Sequence, residues 1–207
     1  MTGPLSWSGS PVPGTVRRVS ETVLDTRVSG KQLHADARVI TYGRKSIALD
    51  EVEWVSYWAV HTATKRFMWP TTHDSQWFFE VGKFPYRGAS VAVNQFIGGR
   101  REDAPEYWTA LANLSQRFLE PRLLAGLVDR VRRGETVLVG GALRVNRDGI
   151  SCIKPKFELP WRSCGGARSA GGAIWIYRAG VEKPLTAVSL SNPNAGLIPA
   201  LFATLNS

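Results

Sequence analysis

Few residues in this chain have a type and spacing that could do chemistry. The three histidines are His34, His61 and His73, and no two fall within five residues of each other. The two cysteines, Cys152 and Cys164, are twelve residues apart with no second pair. Zinc sites draw their ligands from closely spaced pairs such as CxxC or HExxH, and neither occurs, so no metal and no cofactor is expected. No Gly-x-Ser-x-Gly elbow is present. Cys152 lies in the expected strand Ser151-Cys152-Ile153, where a cysteine is usually a small buried hydrophobe. Cys164 lies in a Gly-rich run with Arg162 and Arg168 nearby. Positive charge of that kind lowers a thiol pKa, although the ordinary expectation is an exposed bystander thiol. Asp50, Glu51 and Glu53 cluster after a hairpin, and in a strand Glu51 and Glu53 would share a face. That arrangement could serve acid–base chemistry, but a solvated edge is the expected role. No catalytic residue is assigned.

Anion binding is the other chemistry to weigh. In Ser163-Cys164-Gly165-Gly166-Ala167-Arg168-Ser169-Ala170-Gly171-Gly172, small residues would let backbone N–H groups approach an anion. The run lacks Gly-Lys-Ser/Thr and a following helix, so it is not a P-loop, and it reads as a hairpin loop. The chain has 207 residues, with 26 basic against 17 acidic side chains and a formal charge of +9. Nineteen of the basic residues are arginine, the side chain best matched to phosphate and carboxylate. A GC-rich coding sequence gives the same excess. The cations come in short groups (Arg17-Arg18, Arg100-Arg101, Arg130 with Arg132-Arg133, Lys154 with Lys156), with Glu102, Asp103, Asp129 and Glu135 beside them. Such groups read as solvated faces rather than a polyanion-binding block.

A hydrophobic fraction of 43% is near the globular norm. No apolar run is long enough for a membrane span, and the first residues lack the apolar core of a secretory signal. Two cysteines suit a reducing cytosol, so a cytoplasmic location, free or peripheral at the membrane, is expected.

The elements that position these residues follow from periodicity. Residues 1–20 hold Gly, Ser and Pro and read as a flexible arm, with Trp7 as the exception. From 22 to 98 the pattern is β. Leu33, Ala35, Ala37 and Val39 alternate with mostly polar residues, as on one face of a strand. Arg38 to Tyr42 ends in the tight turn Gly43-Arg44-Lys45, and Ser46 to Leu49 returns. Trp54 to Val60 carries apolar bulk on both faces and should be central in its sheet or lie near a helix. Strands are expected at 66–69, 76–81 and 89–97, with a turn over 70–75. Residues 103–133 switch to a period of about 3.6, with Trp108, Leu111, Leu114 or Ser115, and Phe118 on one face. Pro121 then interrupts the run, giving two helices or one helix kinked at Pro121, and Gly134 ends it. Strands resume at 136–139, 142–145 and 150–153, the last pair joined by the Asn146-Arg147-Asp148-Gly149 turn. More are expected at 173–177 and 185–190, before a terminal helix at 195–205.

The two β regions look like copies. Residues 37–56 align loosely with 143–164: strand, Gly turn, returning strand, then Leu followed by Trp. The layout resembles bacterial pleckstrin-homology-like (PH-like) proteins. The motif is the hairpin followed by Leu-x-x-Val-x-Trp at Leu49–Trp54 and Leu-Pro-Trp at Leu159–Trp161, together with the closing Asn-Pro-Asn-Ala-Gly-Leu-Ile-Pro-Ala-Leu segment at 192–201. The resemblance implies an α+β, β-rich fold of two bent antiparallel sheets or barrels, each with a capping helix, joined by a helical segment. The first module would span 21–120 with its helix at 103–120. The second would span 121–207, with helix 121–133 leading in and helix 195–205 closing it. In lipid-binding members a basic loop between early strands holds the headgroup. The matching positions are Gly43-Arg44-Lys45 and Asn146-Arg147-Asp148, so Arg44, Lys45 and Arg147, with Arg162 and Arg168, are the candidate anion-binding residues.

The function that follows is a non-catalytic binding or scaffold protein whose partner is another protein or an anionic membrane surface. Nucleic acid or another polyanion is the alternative, since eight tryptophans and five tyrosines accompany the positive charge. However, Trp54, Trp58, Trp77, Trp108, Trp161 and Trp175 fall in apolar stretches where core packing explains them. A small enzyme with a cleft between the halves is the second alternative.

Overall fold

The computed structural model describes residues 24–64, 71–86, 88–99 and 103–206. The expected arm at 1–20, the expected strand at 66–69 and the Arg17-Arg18 and Arg100-Arg101 pairs lie outside them. The first β region forms two antiparallel meanders. Strands β1 (Leu24–Val28), β2 (Lys31–Ala35), β3 (Val39–Tyr42) and β4 (Lys45–Ala48) pair in chain order. A 3-10 turn, Leu49–Glu51, leads to β5 (Trp54–Thr64), β6 (Thr72–Gly82) and β7 (Val91–Gly98), a three-stranded sheet. Helix α1 (Glu106–Leu114), a π-helical turn (Ser115–Leu119) and α2 (Glu120–Arg132) follow without a break. The same order of strands then recurs. Strands β8 (Val137–Val139), β9 (Leu143–Val145), β10 (Gly149–Cys152) and β11 (Phe157–Pro160) form a four-stranded sheet. A 3-10 turn, Trp161–Ser163, precedes β12 (Cys164–Ala170), β13 (Ala173–Arg178) and β14 (Thr186–Ser189). A second such turn, Ala195–Leu197, runs into α3 (Ile198–Leu205). The described residues are therefore β-rich, with four antiparallel sheets.

Local chemistry explains where the strands break. The alternation expected through Leu33 to Val39 is cut at Asp36. Its carboxylate accepts the N–H groups of Arg38 at 2.7 Å and Val39 at 2.9 Å, an Asx turn that competes with strand continuation. Asn146 does the same for Asp148 at 2.9 Å and Gly149 at 3.0 Å. The two turns also share a backbone bond, Asp36 N–H to Val39 O and Asn146 N–H to Gly149 O, each 3.0 Å. Leu49 N–H then donates to Arg38 O, as Trp161 N–H does to Asp148 O.

These bonds correct the sequence alignment of the halves. Asn146–Gly149 joins the second and third strands of its sheet, as Asp36–Val39 does. Gly43-Arg44 joins the third and fourth, as 153–156 does. Leu49 therefore matches Trp161, and Ile47 matches Leu159. The Leu-to-Trp motif misled because the two tryptophans play different parts. Trp54 packs on Gly82, where a Cβ would stand 2.6 Å from the ring. Trp161 packs edge-on against Phe202 at 5.5 Å.

Two further expectations are overturned. Residues 72–75, expected as a turn, belong to β6, and the loop expected over 163–172 is mostly β12. Strand β12 has little side-chain pattern of its own. It is a strand because β13 pairs with it from Cys164↔Arg178 to Ala170↔Ala173, a tertiary effect that outweighs propensity.

Of the two expectations at Pro121, the single rod holds and the pair of separate helices does not. The rod runs on as one, with the π-helical turn ending two residues before the proline. The extra residue of that turn moves the apolar stripe by one position, so Leu119 is fully buried and Phe118 only partly. The helical rod serves both halves. Leu111, Leu119 and Leu123 belong to the first core, whereas Val128 and Val131 belong to the second. The change-over lies between Leu123 and Val128 rather than at Pro121.

A second bridge comes from Asn194, which is 4% exposed. Strand β5 is an edge strand, and Asn194 covers the start of its free edge. Its N–H donates to Val55 O at 2.9 Å, its Oδ1 accepts Val55 N–H at 3.0 Å, and its Nδ2 donates to Glu53 O at 3.1 Å. Of the two expectations for β5, central in its sheet or near a helix, the second holds: Tyr57 on its inner face meets helix α1 through Trp108, with ring centroids 5.9 Å apart.

Candidate functional site

Arg44 occupies the two-residue turn between β3 and β4, and Lys45 opens β4 opposite Tyr42. Gly43 makes the turn with φ +61, a left-handed conformation that costs glycine nothing. Its N–H donates to Gln32 O at 2.8 Å. That bond brings in Lys31, which the sequence reading did not group with this turn. The Lys31 Cδ stands 3.4 Å from where a Gly43 Cβ would be, and its ammonium lies 5.4 Å from the Tyr42 ring centroid. Lys31, Arg44 and Lys45 are all exposed, and three cations therefore meet at one end of the first sheet. The antiparallel register Leu33↔Tyr42 carries the signal: it sets Lys31 beside the β3–β4 turn. The corresponding turn in the second half contains Lys154 and Lys156, not Arg147.

The other expected anion ligands do not join that cluster. The Arg147 guanidinium donates to the Arg132 carbonyl at the end of α2. A cation there satisfies a helix-terminal acceptor and complements the dipole. Arg162 is exposed in the 3-10 turn after β11. Arg168 is exposed in β12, 5.5 Å from the Tyr177 ring centroid. Among the described residues none of the five forms an ion pair.

Nucleophilic and acid–base readings find no support in the geometry. Cys164 is buried rather than exposed, and burial pushes its thiol up, away from the reactive range. Asp50 and Glu51 belong to the 3-10 turn and not to a strand, so Glu51 and Glu53 do not share a strand face. Glu51 pairs with Lys83 at 3.1 Å, and Glu53 accepts the Phe84 N–H. Among the described residues no group of three His, Cys, Asp or Glu could hold a metal ion, and no helix is long and apolar enough to cross a membrane.

The most distinctive surface is the outer face of the β5–β6–β7 sheet. The register sets Trp58 beside Phe78, and Val60 and Phe96 on either side of Gln76. Alternation puts all of these on one face. Trp58 stacks on Phe78 with centroids 4.6 Å apart and planes at 7°. Val60 is 42% and Phe96 60% exposed. The adjoining loop adds exposed Phe84 and Tyr86, the latter against the Trp54 ring at 5.1 Å. Core packing accounts for Trp54 and Trp77, but Trp58 faces outward. Glu80 lies on this same face, and burial raises its carboxyl above the ordinary carboxylate range. Past Val55, no strand among the described residues pairs the free edge of β5. By alternation the backbone groups of Tyr57, Ala59 and His61 point outward there. Comparison of the chain with family models, curated proteins and solved structures gives no match.

Proposed function

We propose that the chain is a non-catalytic binding protein made of two PH-like modules in tandem, and that it docks a protein partner on the outer face of the β5–β7 sheet. The order of sheet, 3-10 turn, sheet and helix in each half supports the modular reading, as do the matched Asx turns. The observation that carries the functional reading is the outward group of exposed Val60 and Phe96 with half-buried Trp58 and Phe78. Apolar side chains grouped on an outer sheet face mark an interaction site, and their aromatic content is that of binding hot spots.

The test compares capture by the wild-type chain with capture by a Val60→Asp/Phe96→Asp variant from nuclease-treated lysate. Both side chains are exposed, so the variant should lose little stability. A stoichiometric partner held by the wild type and lost by the variant is expected. A partner held equally by both would refute this docking face.

The Lys31, Arg44 and Lys45 cluster favours a second reading, attachment to an anionic membrane surface. Vesicles containing phosphatidylglycerol would then sediment the wild type but not an Arg44→Glu/Lys45→Glu variant, and raised salt would release it. An affinity for nucleic acid that falls steeply with salt would move the case to polyanion binding.

A further inference from the structure

Strand β5 pairs with β6 without a bulge, from Trp54↔Gly82 to Thr64↔Thr72. It contains no proline, no glycine and no Asp, Glu, Lys or Arg. Edge strands are commonly guarded by such residues, which discourage pairing with another chain. The edge strands β1, β4, β11 and β12 carry Asp25 and Arg27, Lys45, Glu158 and Pro160, and Arg168. On β5 the guard is Asn194, and along the strand it holds Val55 alone. The Val55 N–H and C=O point out of the sheet edge toward Asn194, so alternation points those of Tyr57, Ala59, His61 and Ala63 the same way. No strand among the described residues pairs them.

This free edge is centred on Val60. Set antiparallel to a second copy with Val60 opposite Val60, Ala59 faces His61 of the second copy and Tyr57 faces its Ala63. All four residues with outward backbone groups then meet outward groups. A shift of two residues one way sets Ala63 against Val55, whose groups Asn194 already holds. A shift the other way carries Tyr57 past the end of β5. The centred register also covers Val60, which is 42% exposed, and sets Trp58 against Thr62 of the second copy, cross-strand pairs of the kind that stabilise sheets. Charge favours a second copy over an acidic partner. A chain of +9 repels its own copies, but this edge brings no like charges together and offers none to attract an anion. We infer that two copies of the chain pair edge to edge along β5, antiparallel about a two-fold axis beside Val60, so that two three-stranded sheets become one continuous sheet.

The test is sedimentation equilibrium of the full chain over a range of concentrations, where the wild type should show a monomer–dimer equilibrium. Ala59→Pro removes an outward N–H and leaves the ladder to β6 intact, because proline is accepted on an edge strand where its N–H would face away from the sheet. The two-fold axis makes each change count twice, so Ala59→Pro should weaken the dimer at least tenfold, whereas Ala59→Ser keeps the N–H and should leave it unchanged. Val60→Lys, at an exposed position, sets like charges on either side of the axis and should also weaken the dimer, with salt restoring part of the loss. Val60→Cys reads the register. Opposed residues of a non-hydrogen-bonded pair stand about 4.5 Å apart at Cα, within reach of a disulfide. Mild oxidation should therefore link Val60→Cys into a covalent dimer but not Phe96→Cys, which is more exposed and lies two strands away. A wild type that stays monomeric overturns the inference. So does a dimer undiminished in both Ala59→Pro and Val60→Lys, or equal cross-linking of the two cysteine variants. Ala59 lies on the face of the sheet opposite Trp58 and Val60, so loss of the dimer in Ala59→Pro is distinguishable from failure of the docking face.

Discussion

Replacing Asn194 tests how the halves are joined. Asn194 has φ 59 and ψ 15, a left-handed conformation that asparagine tolerates better than most residues. Its side chain serves Val55 N–H and Glu53 O, 139 and 141 residues away in sequence. Alanine strips both groups of their partner. A buried group left unsatisfied costs about 1–3 kcal/mol, and alanine in the left-handed region costs about 1–2 kcal/mol more. Glu53 lies toward solvent, so water offsets part of the loss at its carbonyl. Asn194→Ala should therefore destabilise the chain by about 3–5 kcal/mol. Asn194→Gly loses the same side-chain bonds but keeps the backbone conformation freely, and should sit about 1 kcal/mol above alanine. Asn194→Asp retains the acceptor for Val55 N–H but sets an oxygen against Glu53 O, so it should be destabilised at neutral pH and partly recover in acid. The assay is urea unfolding followed by tryptophan fluorescence and far-ultraviolet circular dichroism. Because the bonds tie one half to the other, the alanine variant should also show separated transitions. A loss under about 1 kcal/mol, or alanine and glycine variants of equal stability, would refute the assigned role of this residue.

Four other outcomes are expected. A methyl group at Gly149 would stand 2.2 Å from Leu159 O and 2.8 Å from Pro160 Cα, so Gly149→Ala should cost about 1–3 kcal/mol or more in urea unfolding. Arg147→Ala should cost about 0.5–1.5 kcal/mol because it uncaps the Arg132 carbonyl, whereas Arg44→Ala should stay within about 0.5 kcal/mol. Equal effects at the two arginines would contradict the roles assigned to them. Burial raises the Glu80 carboxyl above its ordinary value of 4.5. Its stabilising contribution is thus complete below that value and is lost as pH rises through the raised one. Glu80→Gln should be the more stable protein at pH 7, with the gap closing toward pH 4 in thermal melts. Cys152 and Cys164 are each 6% exposed, so a thiol reagent should modify neither until urea unfolds the chain.

Much of the architecture is legible in residue order, because it depends on short-range chemistry. Gly43 and the Asn146–Gly149 turn announce their hairpins, the 3.6 periodicity after Asp103 announces the helical rod, and the repeated strand order suggests two copies. The errors arise where distant contacts decide the outcome. Strand β12 has almost no pattern of its own and exists because β13 pairs with it. Pro121 leaves two helices or one kinked helix open in the sequence, and the structure keeps one continuous rod with a π turn just before the proline. Trp54 and Trp161 look equivalent in sequence, but the hydrogen bonds at Arg38 and Asp148 show that Trp161 corresponds to Leu49.

The same division holds for the site. Sequence alone determined that no closely spaced metal ligands or phosphate loop are present and that Arg44 and Lys45 share a turn. Tertiary structure decided that Lys31 joins them, because β2 and β3 are antiparallel neighbours. It also decided that Arg147 caps a helix, that Cys164 is buried, and that Trp58 faces outward to stack on Phe78. Side-chain type and spacing act over a few residues and can be read along the chain. Which cations converge, and which apolar face stays uncovered, depends on strand register and on elements more than a hundred residues apart, as between Val55 and Asn194.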